Sequence, residues 1–85
     1  MSQTIITLYT RKQCSLCDKA KATILELKEQ WNFTLEEIDI AQSDDLTEKY
    51  GIMIPVVHIN GVEVAFGIID KNDLSNRLQE KTAKF

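Results

Sequence analysis

Residues 4–9, "TIITLY", are apolar and β-branched almost without a break, the pattern of a strand covered on both faces and therefore central in its sheet. From Cys17 the period changes. Ala20, Ile24, Leu27 and Trp31 recur at spacings of three and four, while Lys19, Lys21, Glu26 and Lys28 fall between them. This predicts an amphipathic helix with Cys17 at the head of its buried stripe. Residues 33–40, "FTLEEIDI", read as a second strand, and the slip in apolar parity between Leu35 and Ile38 predicts a bulge or an edge position. Residues 43–51, "SDDLTEKYG", place cap candidates first, acids in the opening turn and Gly51 as a left-handed terminator. A short helix follows, with Leu46 and Tyr50 on its inner face.

The second half, "IPVVHINGVEVAFGIID" over residues 54–70, predicts a strand over 56–59, a turn at Asn60-Gly61 and a returning strand through Val64, because Asn-Gly between apolar runs is the strongest short hairpin signal. Asp70 or Asn72 can cap a last helix that turns Leu74 and Leu78 inward. The order is β-α-β-α-β-β-α. A strand-helix-strand start requires a right-handed crossover between parallel strands, and the later hairpin adds an antiparallel pair to the same sheet. The expected architecture is α/β with one mixed sheet.

Composition narrows the function. Eighty-five residues, 44% hydrophobic and 27% charged, leave room for one core, so a single domain spanning 1–85 is expected. A net charge of −3 lacks the basic footprint of a nucleic-acid binder. Lys12, Lys19, Lys21 and Lys28 read as a solvated face. No apolar stretch approaches the roughly 20 residues of a membrane span, and "MSQTIITLYT" has neither the basic flank nor the apolar block of a signal peptide. No membrane association and a cytoplasmic location are therefore expected. In that reducing compartment two cysteines lean towards catalysis, redox sensing or metal binding rather than a static staple.

The pair sits in Cys14-Ser15-Leu16-Cys17, at the predicted strand-to-helix junction. Free amide groups and the positive end of the helix dipole stabilise a thiolate there. Arg11 and Lys12 add positive charge and Asp18 opposes it, so the expected shift of the Cys14 pKa is downward. Position assigns the roles: Cys14 exposed and nucleophilic, Cys17 shielded and resolving. A low-pKa Cys14 is also a good leaving group when Cys17 attacks a mixed disulfide. As a staple the pair contributes little, since closing so short a loop removes only about 2 kcal/mol of chain entropy against about 4.7 for a hundred-residue loop. A closed zinc site needs four ligands, and the chain offers Cys14, Cys17, the single histidine His58 and carboxylates beyond them. No metal is therefore expected within one chain; two chains could pool thiolates around an iron–sulfur cluster. Taken alone, Pro55 reads as a strand-initiating proline, and His58 as a partly buried, hydrogen-bonded strand residue.

With a CXXC after the first strand, the element order above and a proline before the third strand, the chain resembles the thioredoxin superfamily and, within it, the short glutaredoxins. "LYTRKQCSLC" is similar to the glutaredoxin opening of apolar strand, basic residue and CPYC; "IPVVHINGVEV" resembles its Val-Pro-x-x-Phe-x-Asn-Gly hairpin. The resemblance implies a thioredoxin-like fold, one four-stranded mixed sheet with helices on both faces. It implies that Cys14 attacks, that Cys17 resolves through a redox-active disulfide, and that Pro55 is a cis-proline beside Cys14. It further implies that the Ile54 backbone pairs with substrate like an added strand. Arg11 falls where many glutaredoxins carry a lysine that assists the thiolate and the glutathione carboxylate, and His58 where they carry a core phenylalanine. Two departures stand out. Ser15-Leu16 replaces Pro-Tyr, and "AFGIID" replaces the Gly-Gly-x-Asp segment that holds the γ-glutamyl end of glutathione. CXLC with "NGVEVAFGIID" looks closer to a branch of small bacterial glutaredoxin-like proteins.

The function expected is a dithiol–disulfide oxidoreductase of cell redox homeostasis, reducing disulfide-containing proteins or glutathione mixed disulfides. It would act as a monomer without a tightly bound cofactor, drawing electrons from glutathione or a reductase. The alternative is a redox-sensing or iron–sulfur-binding glutaredoxin-like protein with little turnover.

Overall fold

In the computed structural model, which describes residues 4–81, the elements are β1 (Ile5–Thr10), α1 (Ser15–Leu27), β2 (Thr34–Asp39), a 3-10 turn (Ile40–Gln42), α2 (Asp44–Tyr50), β3 (Val56–Ile59), β4 (Val62–Phe66) and α3 (Lys71–Lys81). The two ends of the expected 1–85 domain lie outside the described residues. The strands form one four-stranded sheet in the order β2-β1-β3-β4. β1 pairs parallel with β2 and antiparallel with β3, and β3 pairs antiparallel with β4. The continuous apolar run of β1 therefore lies centrally. No helix among the described residues is long and apolar enough to cross a membrane.

The pleat sends alternate residues of β1 to opposite layers. Ile6 and Leu8 face Ile59 and Val57 across the β1–β3 ladder and join Ala20, Ile24 and Leu27 of α1 with Leu74 and Leu78 of α3 in the larger core. Tyr9 and its partner Val56 turn to the other layer, with Ile40 and with Leu46 and Tyr50 of α2. Helices thus cover both faces of the sheet, α1 and α3 on one and α2 on the other.

Several local expectations are corrected. The apolar stripe of α1 outlasts its helix: the helix ends at Leu27, yet Trp31 stays buried because its amide donates to the Leu27 carbonyl at 2.9 Å. β2 is an edge strand with unbroken register against β1, so its parity slip marks the edge, and the bulge lies instead between Val57 and His58 opposite β4. β4 continues to Phe66, two residues beyond the expected end. Gly51 is not left-handed; its φ is −54°, and a Cβ there would collide with the Thr47 carbonyl, so close backbone approach calls for glycine. At the hairpin Asn60 and Gly61 both take positive φ, 51° and 83°, as a type I′ turn requires. Asp70, not Asn72, caps α3: its Oδ1 accepts the amides of Asn72 at 2.8 Å and Asp73 at 3.4 Å.

Candidate redox site

β1 ends at Thr10, and three exposed residues later the chain reverses into α1. The reversal runs through Gln13, held at φ +59°, a region disfavoured for any side chain other than glycine, asparagine or aspartate. That turn makes Cys14 the N-cap of α1. Cys14 Sγ accepts the backbone N–H of Cys17 at 3.2 Å, so the sulfur occupies the place where a cap oxygen would satisfy a free helix amide. Cys17, one turn along, is 2% exposed against the core of α1, while Cys14 is half-buried. The two are joined by a disulfide, with their Cα atoms 5.2 Å apart.

The second wall of the site is the loop before β3. The Ile54–Pro55 peptide bond is cis, and Pro55 is buried. Since Tyr9 pairs with Val56, extending the antiparallel register by one residue brings Pro55 alongside Thr10, at the start of the loop that carries Arg11 and Cys14. The amide of Ile54 is already engaged: it donates to the Tyr50 carbonyl at 3.1 Å, and the same carbonyl accepts from Met53 at 2.8 Å. On the other side the loop is tied to the end of β4, where the Gly67 N–H reaches the carbonyls of Met53 at 3.1 Å and Pro55 at 2.8 Å. Gly67 adopts φ +75° there, a conformation that suits glycine.

Two grooves flank the cysteines. A polar one of about 200 Å³ is bordered by Arg11, Lys12, Cys17, Lys21, Glu37 and Asp39. Within it Lys21 Nζ lies 3.0 Å from Glu37 Oε1, an exposed ion pair of small energetic weight. Arg11 therefore stands on the Cys17 side of the disulfide, away from segment 65–70. An apolar groove of about 370 Å³ lies on the other side, between Leu16 on α1 and Ile68 after β4. Behind the cis-proline loop, Tyr9, Tyr50 and His58 form a ring cluster, with centroids 4.7 Å apart for the tyrosines and 4.9 Å for Tyr9 and His58. Tyr50 Oη is 3.4 Å from His58 Nε2. Burial pushes the His58 pKa below 6.5; Glu63 pulls it back up and Lys49 pushes it further down. No group of three or more His, Cys, Asp or Glu side chains placed to hold a metal ion is found among the described residues.

The Cys14–Cys17 disulfide thus stands at a helix N-terminus, across from a cis-proline, on a β2-β1-β3-β4 sheet, and residues 5–79 fit the family model Glutaredoxin-like domain (DUF836). The chain belongs to the glutaredoxin-like domain family. Among solved structures, this glutaredoxin-like chain is similar to a structural-genomics target protein from X. campestris, with a TM-score of 0.77 and 26% identity over 88% of this chain and 96% of that one. It is also similar to a protein from Nitrosomonas europaea, with a TM-score of 0.75 and 26% identity over 92% and 94% of the two chains. A mutant thioredoxin from Halobacterium salinarum superposes with a TM-score of 0.73 at 20% identity, over 96% of this chain and 77% of that one, which speaks to the fold. The glutaredoxin-like fold and the close cysteine pair support a thiol–disulfide redox role.

Three features of the site had no signal in the sequence. Gln13 carries no mark of a left-handed turn, since glutamine is not a residue chosen for that conformation. The Tyr50–Ile54 bond depends on where α2 stops. The groove between Leu16 and Ile68 depends on how segment 65–70 crosses α1.

Proposed function

We propose that this glutaredoxin-like protein is a dithiol–disulfide oxidoreductase working through Cys14 and Cys17 on disulfide-containing proteins or glutathione mixed disulfides. The observation that carries the reading is the asymmetry of the pair: Cys14 Sγ is half-buried and faces the Cys17 amide at 3.2 Å, while Cys17 is 2% exposed. In the reduced protein that amide and the helix dipole stabilise a thiolate on Cys14. The thiolate attacks one sulfur of the substrate disulfide. A Cys14–substrate bond forms, the substrate S–S bond breaks, and the first thiolate leaves and takes up a proton. Cys17 then loses its proton and attacks Cys14 Sγ; the second substrate thiol departs reduced, and two electrons have passed from the dithiol to the substrate. Two glutathione thiols or a reductase dithiol return the protein to the reduced state. Arg11, exposed on the loop before Cys14, adds positive charge near the thiolate. The loop of Ile54 and Pro55 is the surface along which the substrate backbone lies. The reducing cytosol is the setting in which such a cycle turns over.

A coupled NADPH assay tests this, with glutathione plus its reductase in one arm and thioredoxin reductase in the other. Wild type is expected to reduce a disulfide in at least one arm. Cys14→Ser removes turnover, and Cys17→Ser accumulates a mixed disulfide on Cys14. If neither reductant drives disulfide reduction with both cysteines intact, the oxidoreductase reading is wrong.

A further inference from the structure

Resting on the oxidoreductase reading, we propose that the groove between Leu16 and Ile68 receives a large apolar side chain flanking the reacting cysteine of a protein disulfide, so that this site selects protein segments over glutathione. The groove, of about 370 Å³, has Leu16, Ala20 and Thr23 of α1 on one wall, Gly67 and Ile68 on the other, and Lys19 as the charged side chain on its border. Leu16 is 41% and Ile68 83% exposed, a pair of large apolar side chains standing in solvent two residues from Cys14 and just past the end of β4. The wall carrying Ile68 is held in place, because Gly67 bonds to both Met53 and Pro55 in the cis-proline loop.

The occupant follows from the covalent chemistry. When Cys14 Sγ is bonded to a substrate cysteine, that cysteine's neighbours lie within two or three residues of Leu16, each residue spanning about 3.3 to 3.6 Å when extended. A protein segment caught on Cys14 therefore reaches the groove. Glutathione has no large apolar side chain to place in this groove, whose border carries Lys19 as its one charged side chain, and two polar groups beside it are already in use. The Asp70 Oδ1 accepts the amides of Asn72 and Asp73 as the cap of α3. The Ile54 amide donates to Tyr50, which leaves the Ile54 carbonyl to pair with a substrate backbone. With the amide of that pair taken, side-chain burial carries more of the recognition, and an apolar groove rewards an apolar side chain. Lys19, on the border of the groove, disfavours a cationic segment.

The test uses reduced protein and three mixed disulfides that share one aromatic leaving thiol. Two carry a cysteine peptide with Leu or Asn two residues after the cysteine, and the third carries glutathione. Release of the aromatic thiolate, followed by stopped-flow absorbance, gives the rate constant for attack by Cys14. The Leu peptide is expected to react about tenfold faster than the Asn peptide, in the range a hydrophobic pocket discriminates, and faster than glutathione. Leu16→Ser and Ile68→Ser should bring the Leu/Asn ratio close to one. Leu25→Ser, at an exposed apolar position of α1 outside the groove, should leave the ratio in place. A wild-type ratio near one, or a glutathione mixed disulfide that reacts fastest, overturns the groove assignment while leaving the oxidoreductase reading intact. If none of the three disulfides reacts, both fail.

Discussion

The two faces of the sheet are built differently, and each supports one wall of the redox site. On the face under α1 and α3 the buried set is large and continuous, mostly aliphatic with Trp31 and Phe33 at its border: Ile6, Leu8, Ile24, Val57, Ile59, Leu74 and Leu78 are all at most 1% exposed. Cys17 lies on that side of α1, so the helix whose N-terminus presents Cys14 is packed by its whole length. On the face under α2 the buried cluster is smaller, Ile40, Tyr50 and Val56, with Tyr9, Leu46, Met53 and Ile54 partly buried against it, and His58 sits half-exposed among the tyrosine rings. That smaller, partly polar cluster holds the cis-proline loop, which depends on a Tyr50 carbonyl accepting two amides. The helix that carries Cys14 is thus the deeper packed wall, and the cis-proline loop the lighter. On the oxidoreductase reading proposed above, a firmly held Cys14 beside a more yielding loop would suit a thiol that meets disulfides of varied shape.

Matched cavities, one on each face, test that contrast. Ile24→Ala, in the centre of α1, is expected to lower stability by about 3 to 4 kcal/mol, because a fully buried side chain is lost from a core that cannot collapse around the gap. Ile40→Ala, on the α2 face, should lower it by about 2 kcal/mol, since its neighbours Leu46 and Met53 are only partly buried and can close over the space. Urea unfolding of both variants with the slope held common measures the difference. Equal losses would show that the two faces are packed alike, and the contrast between the walls would fall.

Much of this architecture was legible in the chain because the informative patterns are local. A near-continuous apolar run marked β1 and a three-to-four period marked α1, Asn60-Gly61 marked the hairpin, and Cys14 and Cys17 fell one helical turn apart at a strand-to-helix junction. What was not legible depends on contacts distant in sequence or on backbone geometry that composition does not encode. Gly51 looks like a left-handed terminator, whereas it is the Thr47 carbonyl that excludes a side chain. The parity slip of "FTLEEIDI" pointed equally to a bulge and to an edge, and only pairing with β1 alone decides between them. The resemblance drew attention to "AFGIID" as a replaced segment, but the groove that Gly67, Ile68 and Ile69 form with Leu16 exists only once the segment after β4 comes alongside α1. The same holds for the ring cluster: Tyr9, Tyr50 and His58 come from three elements, and nothing in their spacing announces that they meet.

The smallest expected effect comes from His58 itself and reads the lighter face by pH. Facing it are Thr7 and Tyr9 from β1, Tyr50 and Lys49 from α2, and Glu63 from β4. Burial among these groups lowers its pKa below 6.5, with Glu63 opposing and Lys49 reinforcing the shift. As pH falls, the unfolded chain takes up the imidazole proton first, so it binds more protons than the folded state through that interval. The stability contributed by neutral His58 is therefore complete above pH 6.5 and is lost as pH drops through the unfolded and then the folded value. In His58→Phe the ring contacts with Tyr9 and Tyr50 can persist while the titration disappears. Its urea midpoint at about pH 8 should lie close to wild type, and at about pH 5.5 it should lie above wild type. The sign of that crossing is the readout, since carboxylates elsewhere titrate equally in both proteins. Parallel curves would mean that His58 takes its proton as readily in the folded chain as in the unfolded one, and that the α2 face is open to water at this ring.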